Sequence, residues 1–148
     1  MNIENRALLG AGIFLLLIGL LTGFLITQVE NPRMGLSAHL AAIQGALLLM
    51  ALSANWKSFK FEKRFKAAVG LSVIIGIYLF WLALLLAAIW GTSKATPIAG
   101  AGFAGAKWQE TIVMVTLTVA SIGLLAGSIA LLAGLGKSIN IRTRINRM

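Results

Sequence analysis

The segment AAVGLSVIIGIYLFWLALLLAAIW, residues 67–90, decides the fold class of this chain. It contains no Lys, Arg, Asp or Glu. An α-helix needs about 20 mostly apolar residues to cross the roughly 30 Å hydrocarbon core of a bilayer. The segment is long enough for that, so we predict that it is a transmembrane helix.

Three further segments show the same pattern, and the four predicted spans are Leu8–Thr27, Leu36–Ala54, Ala67–Trp90 and Thr111–Gly136. The first span is too long for a signal-peptide core, so we expect it to be retained. Of 148 residues, 59% are hydrophobic and 11% charged, and a water-soluble fold would expose too much apolar surface. We therefore expect an all-α membrane protein, with residues 1–148 forming one transmembrane domain, a four-helix up-down bundle.

The basic residues fall mainly on one side of the predicted membrane. Ten of the 13 flank the start of span 1, the 2–3 loop and the end of span 4; they are Arg6, Lys57, Lys60, Lys63, Arg64, Lys66, Lys137, Arg142, Arg144 and Arg147. The positive-inside rule predicts that both termini are cytoplasmic. The aromatic and basic 2–3 loop is typical of a segment that contacts anionic lipid headgroups, so we expect no nucleic-acid partner.

Small residues recur every four positions in several spans, including Gly19 and Gly23 in span 1 and Gly123 and Gly127 in span 4. Close backbone approach at small residues is a common way for membrane helices to associate. We therefore predict that most of these positions pack against neighbouring helices.

His39 is the only histidine, and it lies about one turn inside span 2. A histidine at this depth is costly unless it pairs, coordinates a ligand or faces water. One interpretation is an interfacial side chain bonded to backbone or water. The other is a ligand for a planar macrocycle, because Ala42 and Ala46 follow at helical spacing and give a small, apolar surface beneath the imidazole.

The residue counts limit what such a macrocycle site contains. One histidine per chain excludes bis-histidine haem within a subunit, and the absence of cysteine excludes thiolate ligands. The simpler outcome is five-coordinate iron with an open face, which suits Lewis-acid chemistry better than electron transfer.

Span 3 contributes the only tyrosine, Tyr78, with Trp81 three residues later on the same helical face. A phenol in hydrocarbon requires a hydrogen-bond partner. The pair is interpreted either as aromatic packing within the bundle or as a phenol directed at a pocket with Trp81 as its stacking wall. Gln44, on span 2, is a further polar candidate for the pocket.

Other functional classes have less support. The spans contain no carboxylates, so acid–base hydrolysis and proton pumping lack their usual groups. A transporter is weakly supported, because no span is broken or carries a charge. A non-catalytic haem-binding or lipid-binding membrane protein remains an alternative.

Several motifs resemble one enzyme family. NPRMGLSAHL at residues 31–40, YLFW at 78–81, WGTSKATPIAGAG at 90–102 and WQE at 108–110 are similar to the bacterial hydroxylaminobenzene mutases. These small membrane isomerases move a hydroxyl from nitrogen to the ortho ring carbon and so form 2-aminophenols. They share a four-helix architecture with more distant relatives, the styrene oxide isomerases, which suggests aryl epoxide isomerisation as an alternative.

The resemblance implies a bacterial inner-membrane isomerase of small apolar aromatic compounds, a homo-oligomer and by preference a trimer. It implies that His39 is the axial ligand of haem b and that Tyr78 is the catalytic phenol of the substrate pocket. The family tends to have asparagine at the positions of Gly45 and Phe80, so these two residues mark where the substrate pocket of this chain differs and leave its substrate open.

Overall fold

The computed structural model describes the backbone of residues 3–145 and the side chains of residues 3–135. Four helices follow in order: α1 (Ile3–Leu25), α2 (Pro32–Asn55), α3 (Lys63–Trp90) and α4 (Lys107–Ile145). Short 3-10 turns extend α1 over Ile26–Gln28 and α2 over Trp56–Ser58. No strand occurs in the described backbone.

The structure confirms an all-α membrane protein with four helices long and apolar enough to span a bilayer. Each predicted span lies within one helix or its 3-10 extension, although α1, α2, α3 and α4 all begin about four residues earlier than predicted. The extra first turns contain charged and polar residues, and the prediction left them out because it counted only uncharged segments as spans. Of the ten basic residues used for orientation, Lys137, Arg142, Arg144 and Arg147 lie outside the described side chains.

The start of α2 shows how a polar sequence opens a membrane helix. Asn31 caps the helix, because its side-chain oxygen accepts hydrogen bonds from the backbone N–H groups of Arg33 (3.1 Å) and Met34 (3.3 Å). Pro32 occupies the first helical position, where a missing N–H costs nothing. The sequence NPR therefore fixes where α2 begins.

The helices run up-down-up-down, and each packs mainly on its neighbours in sequence. The start of α1 meets the end of α2, since Asn5 Nδ2 donates to the Ser53 carbonyl (3.1 Å) and Ser53 Oγ donates to the Asn5 carbonyl (2.8 Å). Helix α1 also touches α3, whereas α1 and α4 barely meet within the described residues. The four helices therefore form an open arrangement rather than a closed ring.

Small residues bring the helices together where the sequence predicted it, with one exception. A Cβ added to Gly19 would lie 2.7 Å from Ala42 Cβ, and one added to Gly127 would lie 2.9 Å from Val73 Cγ2. Gly123 is the exception, because nothing lies within 4 Å of its added Cβ. Gly123 is thus one of the positions that the prediction for most small residues does not cover.

The membrane-facing surface is built from large apolar side chains. Phe24 is 77% exposed, Ile122 63% and Leu132 72%, all on α1 or α4. Apolar residues exposed on this scale need a lipid environment. The chain is therefore a multi-pass membrane protein.

Candidate active site

The His39 ring lies at the interface of α1 and α2. Its Nδ1 is 2.8 Å from the Gly19 carbonyl oxygen, so Nδ1 carries the proton and donates. Gly23 makes room for the ring, because an added Cβ there would lie 3.0 Å from both Cε1 and Nδ1 of His39. Nε2 has no hydrogen-bond partner among the described residues and is not sealed by neighbouring atoms. One nitrogen is thus fixed and the other is available.

Ala42 and Ala46 do not form an open surface beneath this imidazole. Both are fully buried, and α1 covers them through Gly19 and Gly12. The geometry of one chain therefore gives no support to their predicted contact with a macrocycle. The residues that flank His39 on the open side of α2 are instead Leu36 and Leu40, which are 47% and 46% exposed.

The Tyr78 hydroxyl donates to the Ala11 carbonyl oxygen at 2.8 Å. The side chain is half-buried and joins α3 to α1 near the middle of the membrane. This hydrogen bond satisfies the partly buried hydroxyl of Tyr78. Its proton is consequently engaged in a helix–helix contact in this conformation.

Trp81 differs from Tyr78 in having an unpaired polar atom. Its indole Nε1 is buried and has no hydrogen-bond partner in the described structure. The ring packs against both core clusters of the chain, one around Ile77 and one around Leu84. Buried indole N–H groups usually find an acceptor, and an unpaired one costs about 1–3 kcal/mol. Trp81 therefore holds an unused hydrogen-bond donor inside the bundle.

The remaining predicted pocket residues are dispersed. Gln44 is exposed and lies five residues from His39, about 140° around α2. Gly45 is buried where α3 crosses α2, and an added Cβ would contact Ile77 Cγ2 and lie 3.2 Å from Leu15 Cδ2. Phe80 packs at the edge of the core cluster around Leu84. The structure does not gather these three residues beside His39.

His39 and Tyr78 face different regions of the chain. Their acceptors on α1, Gly19 and Ala11, are eight residues apart, about 12 Å along the axis and about 80° around it. On α2, the contact with α3 is at Gly45, about 120° around the helix from His39. A single chain therefore does not bring His39 and Tyr78 to one pocket.

Comparisons with known proteins agree with this membrane architecture and identify the family. A family model described as styrene oxide isomerase matches residues 4–136. The chain belongs to the styrene oxide isomerase family. It is 42% identical over 122 residues to hydroxylaminobenzene mutase HabB of Ectopseudomonas oleovorans, which covers 81% of this chain and 74% of that protein. It is 33% identical over 129 residues to HabA of the same organism, which covers 86% and 96% respectively. The chain is thus a membrane isomerase.

Three of the four motifs behind the family resemblance meet at one end of the molecule, whereas YLFW lies within α3. We call this end the capped end; it comprises residues 29–34 and 90–110. Glu110 is the centre of this cap. Its buried carboxylate accepts hydrogen bonds from the backbone N–H groups of Ser93 (3.0 Å), Lys94 (3.0 Å) and Gly105 (3.2 Å). The α3–α4 loop of this styrene oxide isomerase family member is therefore ordered around one carboxylate.

Asn31 and Arg33 hold the same loop from the α2 side. Asn31 is fully buried, its Nδ2 donates to the Ala99 carbonyl (3.1 Å), and its backbone N–H donates to the Ala88 carbonyl (3.0 Å). Arg33 donates to the Ala101 carbonyl and lies over the Phe103 ring. Sequence reasoning used these residues only as parts of the family motifs and missed their structural roles. The signal available in the sequence was that Asn31, Arg33 and Glu110 are polar residues next to the ends of predicted spans.

The residues of this family member can supply one axial ligand to a haem, and that ligand is His39. A metal-bound histidine usually donates its second ring N–H to a carbonyl or carboxylate, which fixes the tautomer, and His39 has that arrangement with Gly19. No group of three or more His, Asp or Glu side chains comes together in the described part of the chain. His39 thus fits a haem ligand, whereas the predicted cradle of Ala42 and Ala46 does not fit within one chain.

Three cavities of this isomerase lie away from His39, Tyr78 and Trp81. One of about 420 Å³ lies at the capped end beside Glu30 and Phe103. A second of about 320 Å³ lies along α4 beside Thr118, and a third of about 440 Å³ lies between Asn5 and Lys57. None of the three is lined by the predicted site residues.

Proposed function

We propose that the chain is a hydroxylaminobenzene mutase-like enzyme that converts an arylhydroxylamine to a 2-aminophenol within the bilayer. The reaction moves one hydroxyl from nitrogen to the ortho carbon, and the ortho hydrogen leaves as a proton while the nitrogen gains one, so substrate and product are isomers. The names of the two relatives support this substrate class. The likeness to the styrene oxide isomerase model favours aryl epoxides as the second class to test.

The observation that carries the proposal is the His39 imidazole, with Nδ1 fixed by a backbone carbonyl and Nε2 available. We propose that His39 Nε2 holds haem b. Ferric haem, when bound, supplies a Lewis acid for the oxygen of the N–O or epoxide group. The Gly19 carbonyl keeps the ring in one tautomer and raises its basicity. Apolar side chains around the ring exclude water.

Trp81 and Tyr78 would act on the substrate from α3. The unpaired Trp81 Nε1 would donate a hydrogen bond to the migrating oxygen, which stabilises charge that develops there. The Tyr78 hydroxyl would first have to leave the Ala11 carbonyl before it transferred a proton. Trp81 is therefore the first donor in this proposal, and Tyr78 positions α3 against α1 unless it is released.

Because His39 lies apart from Tyr78 in one chain, we further propose that the site forms between chains of a homo-oligomer, by family resemblance a trimer. The apolar flank of His39, including Leu36 and Leu40, would face a second copy. Co-expression of His39→Ala chains with Tyr78→Phe chains tests this arrangement. Activity above that of either variant alone supports a shared site, and strictly unchanged residual activity contradicts it.

The basic residues support a proposed orientation in a bacterial inner membrane with both termini in the cytoplasm. Three described basic residues lie at the capped end, and six lie at the opposite end: Arg6, Lys57, Lys60, Lys63, Arg64 and Lys66. Reporter fusions at each terminus test the orientation directly. A terminus that reports from the periplasmic side contradicts it.

The main experiment uses detergent-purified protein from haem-replete cells, incubated with phenylhydroxylamine and separately with styrene oxide. We expect 2-aminophenol without an external oxidant or reductant, together with a Soret band. His39→Ala should abolish both, whereas Ser128→Ala, on the exposed face of α4, should retain both. Wild-type protein without a Soret band would refute haem ligation, and no conversion of either substrate would refute the isomerase proposal.

A further inference from the structure

The end of the molecule opposite the capped end has a cavity that the proposed reaction does not use. We call this end the basic end; it comprises the start of α1, the end of α2 and residues 56–62. The cavity has a volume of about 440 Å³ and is lined by Asn5, Leu9, Met50, Ser53, Ala54 and Lys57. Its volume is in the range that holds small ligands or lipid headgroups.

Asn5 is the polar element of this cavity. Its side chain is more than nine-tenths buried, with 6% exposure, and its Nδ2 is occupied by the Ser53 carbonyl. Its Oδ1 is buried and has no donor among the described residues. A buried acceptor without a partner costs free energy, so a donor bound in the cavity would relieve it. The cavity therefore lacks one hydrogen-bond donor.

The charges around the cavity favour an anion. Lys57 lines it, and exposed Arg6 lies about 60° around α1 from Leu9. The nearest acidic residue in sequence, Glu4, lies about 140° from Leu9 and accepts a hydrogen bond from Trp56 Nε1 at 2.9 Å. No Asp or Glu is among the described residues that line the cavity, so the charge of its lining is that of Lys57.

One wall of the cavity is apolar. Leu9 and Met50 form this wall, and Met50 Cγ lies 2.9 Å from a Cβ added at Gly12, so the two helices are close here. The cavity lies at the last turn of α2, where headgroups meet the hydrocarbon core. A lining that is polar and cationic on one side and apolar on the other matches one phospholipid molecule.

We infer that this cavity binds the headgroup of an anionic phospholipid whose phosphate faces Lys57 and whose hydroxyl donates to Asn5 Oδ1, with an acyl chain along Leu9 and Met50. Phosphatidylglycerol has this chemistry. The cationic surroundings disfavour an ammonium headgroup in the same position. This inference does not depend on the proposed reaction or on haem.

The test is native mass spectrometry of the full chain released from nanodiscs that contain phosphatidylcholine and phosphatidylglycerol. We expect one retained phosphatidylglycerol. Lys57→Gln should lower the apparent affinity for this lipid about fivefold, and its occupancy accordingly, as expected for one cation near an anionic lipid. Ala54→Phe, which fills the cavity without removing a hydrogen bond, should abolish retention. Lys60→Gln, the same charge change in the same loop but outside the cavity, should retain the wild-type occupancy.

Two results would overturn the inference. Equal retention by wild type, Lys57→Gln and Ala54→Phe would show that the lipid binds elsewhere. Displacement of the lipid by millimolar inorganic phosphate would show a site for a free anion rather than for a lipid. Retention that resists phosphate and depends on Lys57 and Ala54, but not on Lys60, supports the inference.

Discussion

Gly45 provides a quantitative test of the packing between α2 and α3. Gly45→Ala adds one Cβ at a position where it would contact Ile77 Cγ2 closely and lie 3.2 Å from Leu15 Cδ2. Gly123→Ala adds the same group to a helix interior where nothing lies within 4 Å. Both substitutions gain the same helix propensity, up to about 1 kcal/mol. Their difference therefore isolates the cost of the contact.

Overpacking in a well-packed core costs about 1–3 kcal/mol. We expect Gly45→Ala to be less stable than Gly123→Ala by that amount, with Gly123→Ala equal to or more stable than wild type. Reversible unfolding of the purified protein in mixed micelles, followed by helical circular dichroism, measures both free energies. In a chain that already carries Ile77→Ala, adding Gly45→Ala should cost much less stability than it does in the wild type, because the side chain that the new Cβ would contact has been shortened.

Equal stabilisation by Gly45→Ala and Gly123→Ala would refute the close approach of α3 to α2 at Gly45. Asparagine at position 45 would require even more space than alanine. A chain that tolerates it must move Ile77.

Three further predictions concern single residues. Asn31→Ala removes the α2 cap and the hydrogen bond to the Ala99 carbonyl and should cost about 1–3 kcal/mol in the same unfolding assay, whereas Ser37→Ala should be near neutral. Glu110→Gln should increase hydrogen exchange across residues 93–105, and Glu30→Gln, an exposed carboxylate, should not; equal exchange would refute the role of the buried one. Trp81→Phe should lower kcat about tenfold to hundredfold at unchanged Soret absorbance, while unchanged kinetics would remove the indole from the mechanism.

The helices could be predicted because a membrane span requires a long apolar segment, which can be read directly from the sequence. Apolar length and the positions of charges located all four helices, but the first turns and the last nine residues of α4 were missed. The first turns of α1 and α2 are held by the Asn5–Ser53 pair and by the Asn31 cap, whose side chain also bonds the distant Ala99 carbonyl. A periodic pattern does not indicate such partners.

The candidate site was harder to predict, because residues that share a helical face do not necessarily share a pocket. His39, Ala42 and Ala46 were grouped by spacing, but α1 covers both alanines and leaves only the ring partly accessible. Tyr78 and Trp81 were treated alike, but one has a partner and the other does not. Which neighbour covers a face depends on helix packing, and the sequence pattern gives only the face.

The open arrangement of the helices has a consequence for how this sequence can diverge. In the apolar windows of α2 and α3, 33% and 39% of residues are buried, compared with 22% in α1 and 17% in α4. Apolar exchanges on the two outermost helices meet mainly lipid chains, which adapt to shape. Neutral drift should therefore accumulate on α1 and α4, and a saturation mutagenesis map should show two tolerant helices around an intolerant central pair.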